Sequence, residues 1–319
     1  MPRPAYHPPL VTSSRFPLAL AREQDRVPII DAEWDALDFA EDTPLAALDL
    51  GGVVLAFHGG EAALGAALRQ LYPSYLHPVD ASGAFHVSLR GVARQPFPTP
   101  VAFVSAIERD GRALAKLRGV SAAFDLGADR AAAVVERRCL AQDLGNLVRF
   151  CLWAFAPRRR RFLVHAAAIE VEGAAILVVG PAQSGKSTVA RLASPRPVLT
   201  DDVVLLSMDA GDDRLLAATV GLMGGEGSDG LARQCERREL PVRAMVTLVK
   251  GVTNRVEPVG AARAALELQC AISLLSSDPA VRAQSLEFAE QAVRRVRRVA
   301  LTFTPADGSF WPLLQDATG

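Results

Sequence analysis

Residues 174–206 contain the feature that most constrains how this chain folds. An apolar run, Ala174–Val179, predicts a buried strand, and Val189–Ala193 predicts the first turns of a helix. The nine residues between them match the phosphate-binding pattern G-x-x-x-x-G-K-[ST] at every position: Gly180, Pro181, Ala182, Gln183, Ser184, Gly185, Lys186, Ser187 and Thr188. In a strand–loop–helix context, such a loop points its backbone amides and the start of the helix at an anion. The segment therefore predicts a nucleotide phosphate site.

Two side chains of this loop have predicted chemical roles. Lys186 would contact the β- and γ-phosphates of ATP, and the Ser187 hydroxyl would bind Mg²⁺. Lysine is rare in this chain: of its 35 basic residues only Lys116, Lys186 and Lys250 are lysines. A compact ammonium group stands where phosphate oxygens would crowd together, which favours the phosphate interpretation over an ordinary glycine turn.

Composition limits the class of protein. The length of 319 residues favours about two domains, and 35 acidic residues balance 35 basic ones. A neutral chain gives no electrostatic reason to expect nucleic acid or a membrane as partner. The four cysteines show no metal-binding spacing, and the first residues show no signal-peptide core. We expect a cytoplasmic protein.

The pattern along the chain predicts three regions. Residues 1–128 form a small α+β domain with an irregular, proline-containing lead-in. Residues 129–161 form a bridging helix, Asp129–Phe155, followed by the basic run Arg158–Arg161. That run is either a solvated face or a contact for an acidic partner. Residues 162–319 form an α/β domain around the glycine loop, in which the glycine-dense stretch Gly221–Asp229 is a candidate lid.

Two adjacent carboxylates, Asp201 and Asp202, interrupt the apolar run Pro197–Leu206. Successive side chains on a strand point to opposite faces, so the pair can act together only if the strand ends there. One carboxylate would then hold Mg²⁺, and the other would accept the proton of an attacking hydroxyl. The alternative is a solvated strand end. His165, taken alone, is typical of a core or edge histidine.

The order of these features resembles the C-terminal kinase domain of bacterial HPr kinase/phosphorylases. In that family a histidine opens a strand pair, a G-x-x-G-x-GKS loop follows, and an Asp-Asp pair comes after the next strand. His165, the loop ending in Lys186 and Ser187, and Asp201-Asp202 follow this order over residues 162–303. The resemblance implies an α/β P-loop kinase domain with a mixed sheet.

The same resemblance implies roles for individual residues. His165 would assist the acid–base step, Lys186 would hold the phosphates, and Ser187 and Asp201 would hold Mg²⁺. Asp202 would be the base that faces a serine hydroxyl. The family loop has a further glycine where this chain has Gln183-Ser184, and the longer phosphorolysis signature is not recognisable between residues 218 and 243.

The sequence therefore predicts a Mg²⁺- and ATP-dependent kinase that phosphorylates a hydroxyl, serine by resemblance, on a protein or peptide. Relatives of this family include tailoring enzymes of ribosomally made peptides, and HPr kinases assemble as oligomers, so the resemblance allows a homo-oligomer. Two alternatives stay open: a nucleotide-gated binding module that transfers no phosphate, and a small-molecule kinase.

Overall fold

Two mixed β-sheets and six α-helices make up the described part of this chain in the computed structural model. The structure describes residues 43–78, 82–93, 105–109, 111–117, 119–209, 211–222, 236–304 and 308–319. The predicted lead-in, residues 1–42, and most of the candidate lid, residues 223–229, lie outside these ranges. The α/β class with a mixed sheet, predicted from the sequence, is confirmed.

The first sheet has eight strands in the order β3-β1-β2-β4-β8-β7-β6-β5. Only the β2–β4 and β4–β8 pairs are parallel. Glycines at the β1–β2 turn adopt positive φ, which gives the tight reversal that a two-residue hairpin needs. The strands are β1 Pro44–Leu50, β2 Val53–His58, β3 Leu76–His77, β4 Phe85–Val92, β5 Ser105–Arg109, β6 Arg112–Leu117, β7 Val120–Asp125 and β8 Arg130–Glu136.

The predicted bridging helix is wrong in its first third. Strand β8 occupies Arg130–Glu136, and the helix begins only at Leu140. Asp129, the first residue of the predicted helix, instead adopts a left-handed turn with φ 54°. Alanine-rich sequence favours helix by propensity, but β4 and β7 pair with this segment on both sides, and such tertiary pairing overrides propensity.

The second sheet has nine strands, and its path runs β12-β10-β11-β15-β14-β13-β9, with β17 on β15 and β16 on β17. The β11–β15 and β15–β17 pairs are parallel. Short breaks at Ala166 and at Asp201-Asp202 separate β9 from β10 and β12 from β13. The strands are β9 Arg161–His165, β10 Ala167–Val171, β11 Ala174–Val179, β12 Val198–Thr200, β13 Val203–Met208, β14 Leu215–Ala218, β15 Glu239–Lys250, β16 Arg255–Pro258 and β17 Arg297–Phe303.

Several helices pack an apolar face against a sheet, and this packing sets their positions. The helices are α1 Ala62–Leu71, α2 Leu140–Phe155, α3 Lys186–Arg191, α4 Ala261–Ala271, α5 Pro279–Arg294 and α6 Trp311–Thr318. Helices α4 and α5 pack on one face of the second sheet, and α3 and α6 pack on the other. The sequence pattern predicts helices near residues 260–275 and 279–296, which correspond to α4 and α5, and it predicts neither α6 nor β16.

One hydrophobic core joins the two sheets. Helix α2 contributes most of its apolar residues to it, together with side chains of the first sheet and with Leu163, Val203 and Leu205 of the second. Because α2 is covered on more than one side, ten of its 16 residues are buried. The predicted domain boundaries at residues 128 and 161 stay a prediction, and this core lies across both of them.

The side chains of the basic run Arg158–Arg161 contact other parts of the chain. Arg158, Arg159 and Arg160 are exposed, as the solvated-face interpretation expects, and Arg161 is half-buried, although each of the four side chains contacts a different part of the chain. Arg158 pairs with Asp129, and Arg159 contacts the Gly83 carbonyl oxygen and the ring of Phe85. Arg160 lies 3.9 Å from Glu287, and Arg161 donates to the Ser207 hydroxyl.

The shared core predicts a large effect of one truncation. Phe155 at the end of α2 is fully buried, stacks on Phe85 at 4.4 Å between ring centroids, and meets Phe124 edge-on. Phe155→Ala should lower the free energy of unfolding by about 3–5 kcal/mol, because it removes the ring and leaves a cavity. Urea denaturation measures this change. Leu313→Ala, at a position 43% exposed, is the control and should shift it by less than about 0.5 kcal/mol.

Candidate active site

The glycine loop, residues 180–185, lies where the sequence predicts it, between the end of β11 at Val179 and the start of α3 at Lys186. Gly185 has φ 109°, which side-chain-bearing residues rarely adopt. A Cβ atom there would lie 2.8 Å from the ring of Phe303, at the end of β17. The loop therefore needs glycine both for its backbone angle and for its close contact with the sheet.

Gln183 supplies a left-handed turn without glycine. Its φ is 62°, the conformation that a glycine would adopt freely. Beside it, the Ser184 hydroxyl is buried and has no hydrogen-bond partner among the described residues. The departure from the family pattern at these two positions therefore leaves the loop tightly turned, with one polar atom inside it that lacks a partner.

Lys186 folds back into its own loop. Its Nζ donates to the carbonyl oxygens of Gly180 at 2.8 Å and Pro181 at 3.1 Å, and the residue is 5% exposed. Burial lowers the pKa of Lys186 to about 8, and the negative charge of Asp202 opposes this shift. Asp202 therefore lies within electrostatic range of the ammonium group.

Asp201 and Asp202 lie in the break between β12 and β13, so the strand ends where joint action of the pair requires it to end. The backbone N–H of Asp202 donates to the Thr200 hydroxyl at 3.2 Å, which fixes the turn. Asp202 is 2% exposed, whereas Asp201 is half-buried. The two neighbouring carboxylates thus have different environments.

The two oxygens of Asp202 meet different partners. Oδ2 accepts a hydrogen bond from a terminal nitrogen of Arg149 at 2.8 Å. Oδ1 lies 3.2 Å from Nδ1 of His165. His165 is the last residue of β9, and it pairs with Val203 of β13. An adjacent guanidinium favours the ionised form of a buried carboxylate. The structure therefore brings together two of the predicted site residues, His165 and Asp202, and the charge of Asp202 also acts on the pKa of the third, Lys186.

Sequence reasoning missed Arg149. It lies on α2, 53 residues before its partner Asp202, and it belongs to no motif. One signal was available: Arg149 is the only charged residue in the otherwise apolar stretch Leu147–Phe155. A charge in such a position is costly unless it is paired. Burial raises the pKa of Tyr72, which follows α1. The charge of Arg149 acts in the opposite direction, so the two side chains lie near each other.

The predicted metal ligands are Ser187 and Asp201. Ser187 is exposed at the start of α3, and Asp201 is half-buried beside Asp202. Within the described ranges no three His, Cys, Asp or Glu side chains come together as a metal site. Mg²⁺ sites in phosphoryl-transfer proteins commonly combine one or two protein oxygens with substrate phosphates and water. The metal assignment of this pair stays a prediction.

Comparison with known proteins assigns the family. A family model described as "SynChlorMet cassette protein ScmC" matches residues 146–316, which is more than half of the chain. The chain belongs to the ScmC family. The matched segment of this ScmC-family chain includes Arg149, the glycine loop and both aspartates.

Among solved structures, this ScmC-family chain is similar to the Hpr(Ser) kinase/phosphatase from Coxiella burnetii. The identity is 14%, the match covers 49% of this chain and 87% of that one, and the TM-score is 0.29. A likeness at this level carries no functional weight. No curated protein matches the chain. Among the described helices, none is both long and apolar enough to cross a bilayer.

Burial of Lys186 predicts a pH-dependent stability. With a folded-state pKa of about 8, below its ordinary value of 10.5, the folded chain releases this proton before the unfolded chain does. The penalty for burying the ammonium is therefore complete below pH 8 and is relieved as the pH rises toward 10. Between pH 7.5 and 9.5, the parent should gain about 1–2 kcal/mol of unfolding free energy relative to Lys186→Met.

Chemical denaturation of both proteins at the two pH values measures this gain. The difference between them cancels the other titrating groups, because methionine keeps the apolar stem and does not ionise. A difference that does not change with pH would mean that the Lys186 ammonium is hydrated in the ligand-free protein.

Proposed function

We propose that this protein is a Mg²⁺- and ATP-dependent kinase that transfers the γ-phosphoryl group to a hydroxyl, serine by preference, of a protein or peptide. One observation carries the proposal: a buried carboxylate, Asp202, is held by Arg149 and His165 within electrostatic range of the glycine-loop lysine, Lys186. A nucleotide site alone does not require such a group. Transfer to an alcohol does, because the alcohol must lose a proton.

The residues of the loop fit a triphosphate. The Ser184 hydroxyl is buried without a partner among the described residues, and Lys186 donates to its own loop carbonyls, which phosphate oxygens would replace. Residues 180–188 would hold the phosphates, and Ser187 with Asp201 would hold Mg²⁺. Bound Mg·ATP supplies an electrophilic phosphoryl group whose bond to the bridging oxygen breaks, leaving the electron pair on ADP.

Proton transfer is the task of Asp202. The carboxylate of Asp202, which forms an ion pair with Arg149, would accept the hydroxyl proton as the acceptor oxygen bonds to phosphorus. His165, in the tautomer that is protonated at Nδ1, donates to Oδ1 and orients the carboxylate. Lys186 stays next to the oxygens on which negative charge develops.

The order of the site residues and the need for ATP support the proposed acceptor and compartment. A serine on a peptide or protein is supported by the order of His165, the loop and the Asp pair, which resembles kinases that act on such acceptors. A cytoplasmic location is supported by the need for ATP.

A nucleotide-gated binding module is the second candidate. It is favoured by one observation: both oxygens of Asp202 are already engaged, and the residue is 2% exposed. A carboxylate in that state could hold α2 against the second sheet and never meet an acceptor. The two candidates differ in whether Asp202 exchanges a proton.

Replacement of the proposed base separates the candidates. Asp202→Asn keeps the size and one acceptor oxygen but is a far weaker base, so phosphoryl transfer should fall by about a hundredfold or more. ATP affinity should stay within about fivefold. Transfer of labelled phosphate from ATP to candidate serine peptides measures the first quantity, and calorimetric titration measures the second.

Asp212→Asn is the matched control, since Asp212 is an exposed aspartate whose described partner is Arg214. It should transfer phosphate at the parental rate. Equal transfer by Asp202→Asn and the parent would rule out Asp202 as base, and hydrolysis to water alone, unaffected by the substitution, would favour the binding module.

The lysine assignment has its own test. Lys186→Ala removes the ammonium group that would contact the β- and γ-phosphates, so Mg·ATP should raise the melting temperature of this variant by less than about a third of the parental shift. Thermal denaturation with and without nucleotide measures the shift. Lys250→Ala, at the exposed end of β15, should keep the full shift. Unchanged stabilisation of Lys186→Ala would refute the phosphate site.

A further inference from the structure

Arg149 has an unusual setting for a charged side chain. Its neighbours Val148 and Phe150 on α2 are buried in the shared core, and its own side chain is only 16% exposed. The guanidinium leaves that core at the break between β12 and β13. A salt bridge that only fastens a helix to a sheet can sit on the surface, where desolvation costs little. This one is buried, at a break that follows β12, and only β10 separates β12 from the strand that leads into the glycine loop.

The hydrogen-bonding capacity of Arg149 is only partly used. A terminal nitrogen bonds Oδ2 of Asp202, but Nε is buried and has no acceptor among the described residues. Asp202 does not complete a two-bond fork, because its other oxygen faces His165. A guanidinium fork suits an acceptor with two or more oxygens, such as a phosphoryl group. The buried N–H therefore needs an oxygen that the described residues do not supply.

Charge leads to the same class of ligand. Arg149 forms an ion pair with the buried carboxylate of Asp202, and the same carboxylate acts at longer range on the charge of Lys186. An anion placed between Arg149 and Lys186 would be attracted by both cationic groups, and it would also replace the loop carbonyls to which Lys186 now donates.

We propose that Arg149 is a catalytic residue of the transfer, with its guanidinium contacting the oxygens of the γ-phosphoryl group while Asp202 accepts the acceptor's proton. This inference rests on the proposed function. The bond made is between the acceptor oxygen and phosphorus, and the bond broken is between phosphorus and the oxygen kept by ADP. The proton goes to Asp202, and Arg149 keeps its charge throughout. An arginine from outside the phosphate loop can stabilise the charge that spreads over the transferred oxygens.

The test compares two nucleotides that differ in the γ-phosphoryl group. Calorimetric titration with Mg·ADP and with the Mg²⁺ complex of the β,γ-imido analogue of ATP gives an affinity ratio for each protein. Arg149→Gln should weaken the imido analogue by about ten- to hundredfold and ADP by less than about twofold, as expected for loss of a charge-assisted bond to the γ-phosphoryl oxygens. A purely structural arginine would change both affinities equally.

Two further variants keep the test decisive. Arg149→Lys retains a charge beside Asp202 but no fork, and it should lose at least about threefold for the imido analogue alone, even if Arg149→Gln folds poorly. Arg238→Gln removes an arginine paired with Glu170 and should keep the parental ratio. An unchanged ratio in Arg149→Lys and Arg149→Gln, or a parent that does not distinguish the two nucleotides, would overturn the assignment.

Failure of the proposed function gives a different result. If the parent transfers no phosphate to any serine acceptor but Arg149→Gln still loses the nucleotide preference, the arginine contact holds and the kinase assignment fails. If the parent transfers phosphate and the ratio does not change in either variant, the kinase assignment holds and Arg149 serves only to position Asp202.

Discussion

A carboxylate taken out of water must be compensated, and the site is built around how this chain compensates Asp202. Arg149 comes from a helix of the shared core, and His165 comes from a strand of the second sheet. Removing one partner of such a buried pair commonly costs about 3–5 kcal/mol. The positions of α2, β9 and the β12–β13 break are therefore linked through one side chain.

In the glycine loop, burial and electrostatic attraction have opposite effects on the charge of Lys186. Lys186 is desolvated, which disfavours its charge, yet it donates two hydrogen bonds to its own loop and feels the field of Asp202. With a pKa of about 8, the buried Lys186 side chain holds its proton less firmly than a solvated lysine does. In the ligand-free loop the ammonium group is bound only by the loop's own carbonyl oxygens. A bound anion would lower the free-energy cost of burying its charge.

Sequence reasoning located the parts of the site that are local in the chain. The loop and the Asp pair depend on spacing within about 20 residues, and the apolar runs beside them fixed the strands. The failures are non-local. Residues 130–136 form a strand because β4 and β7 pair with them, which no helical propensity reveals. Arg149 meets Asp202 across 53 residues, and only the fold brings the two together.

The shared core has a consequence for how such a chain can change over generations. Because α2 presents apolar side chains to both sheets, the core of the first half is completed by side chains of the second half, which also has two hydrophobic clusters of its own. Recombination that exchanged only the glycine-loop half for another protein's would expose Phe155 and its neighbours to water, and it would separate Arg149 from the packing that holds it. The two halves are therefore expected to be inherited together, as one evolutionary unit.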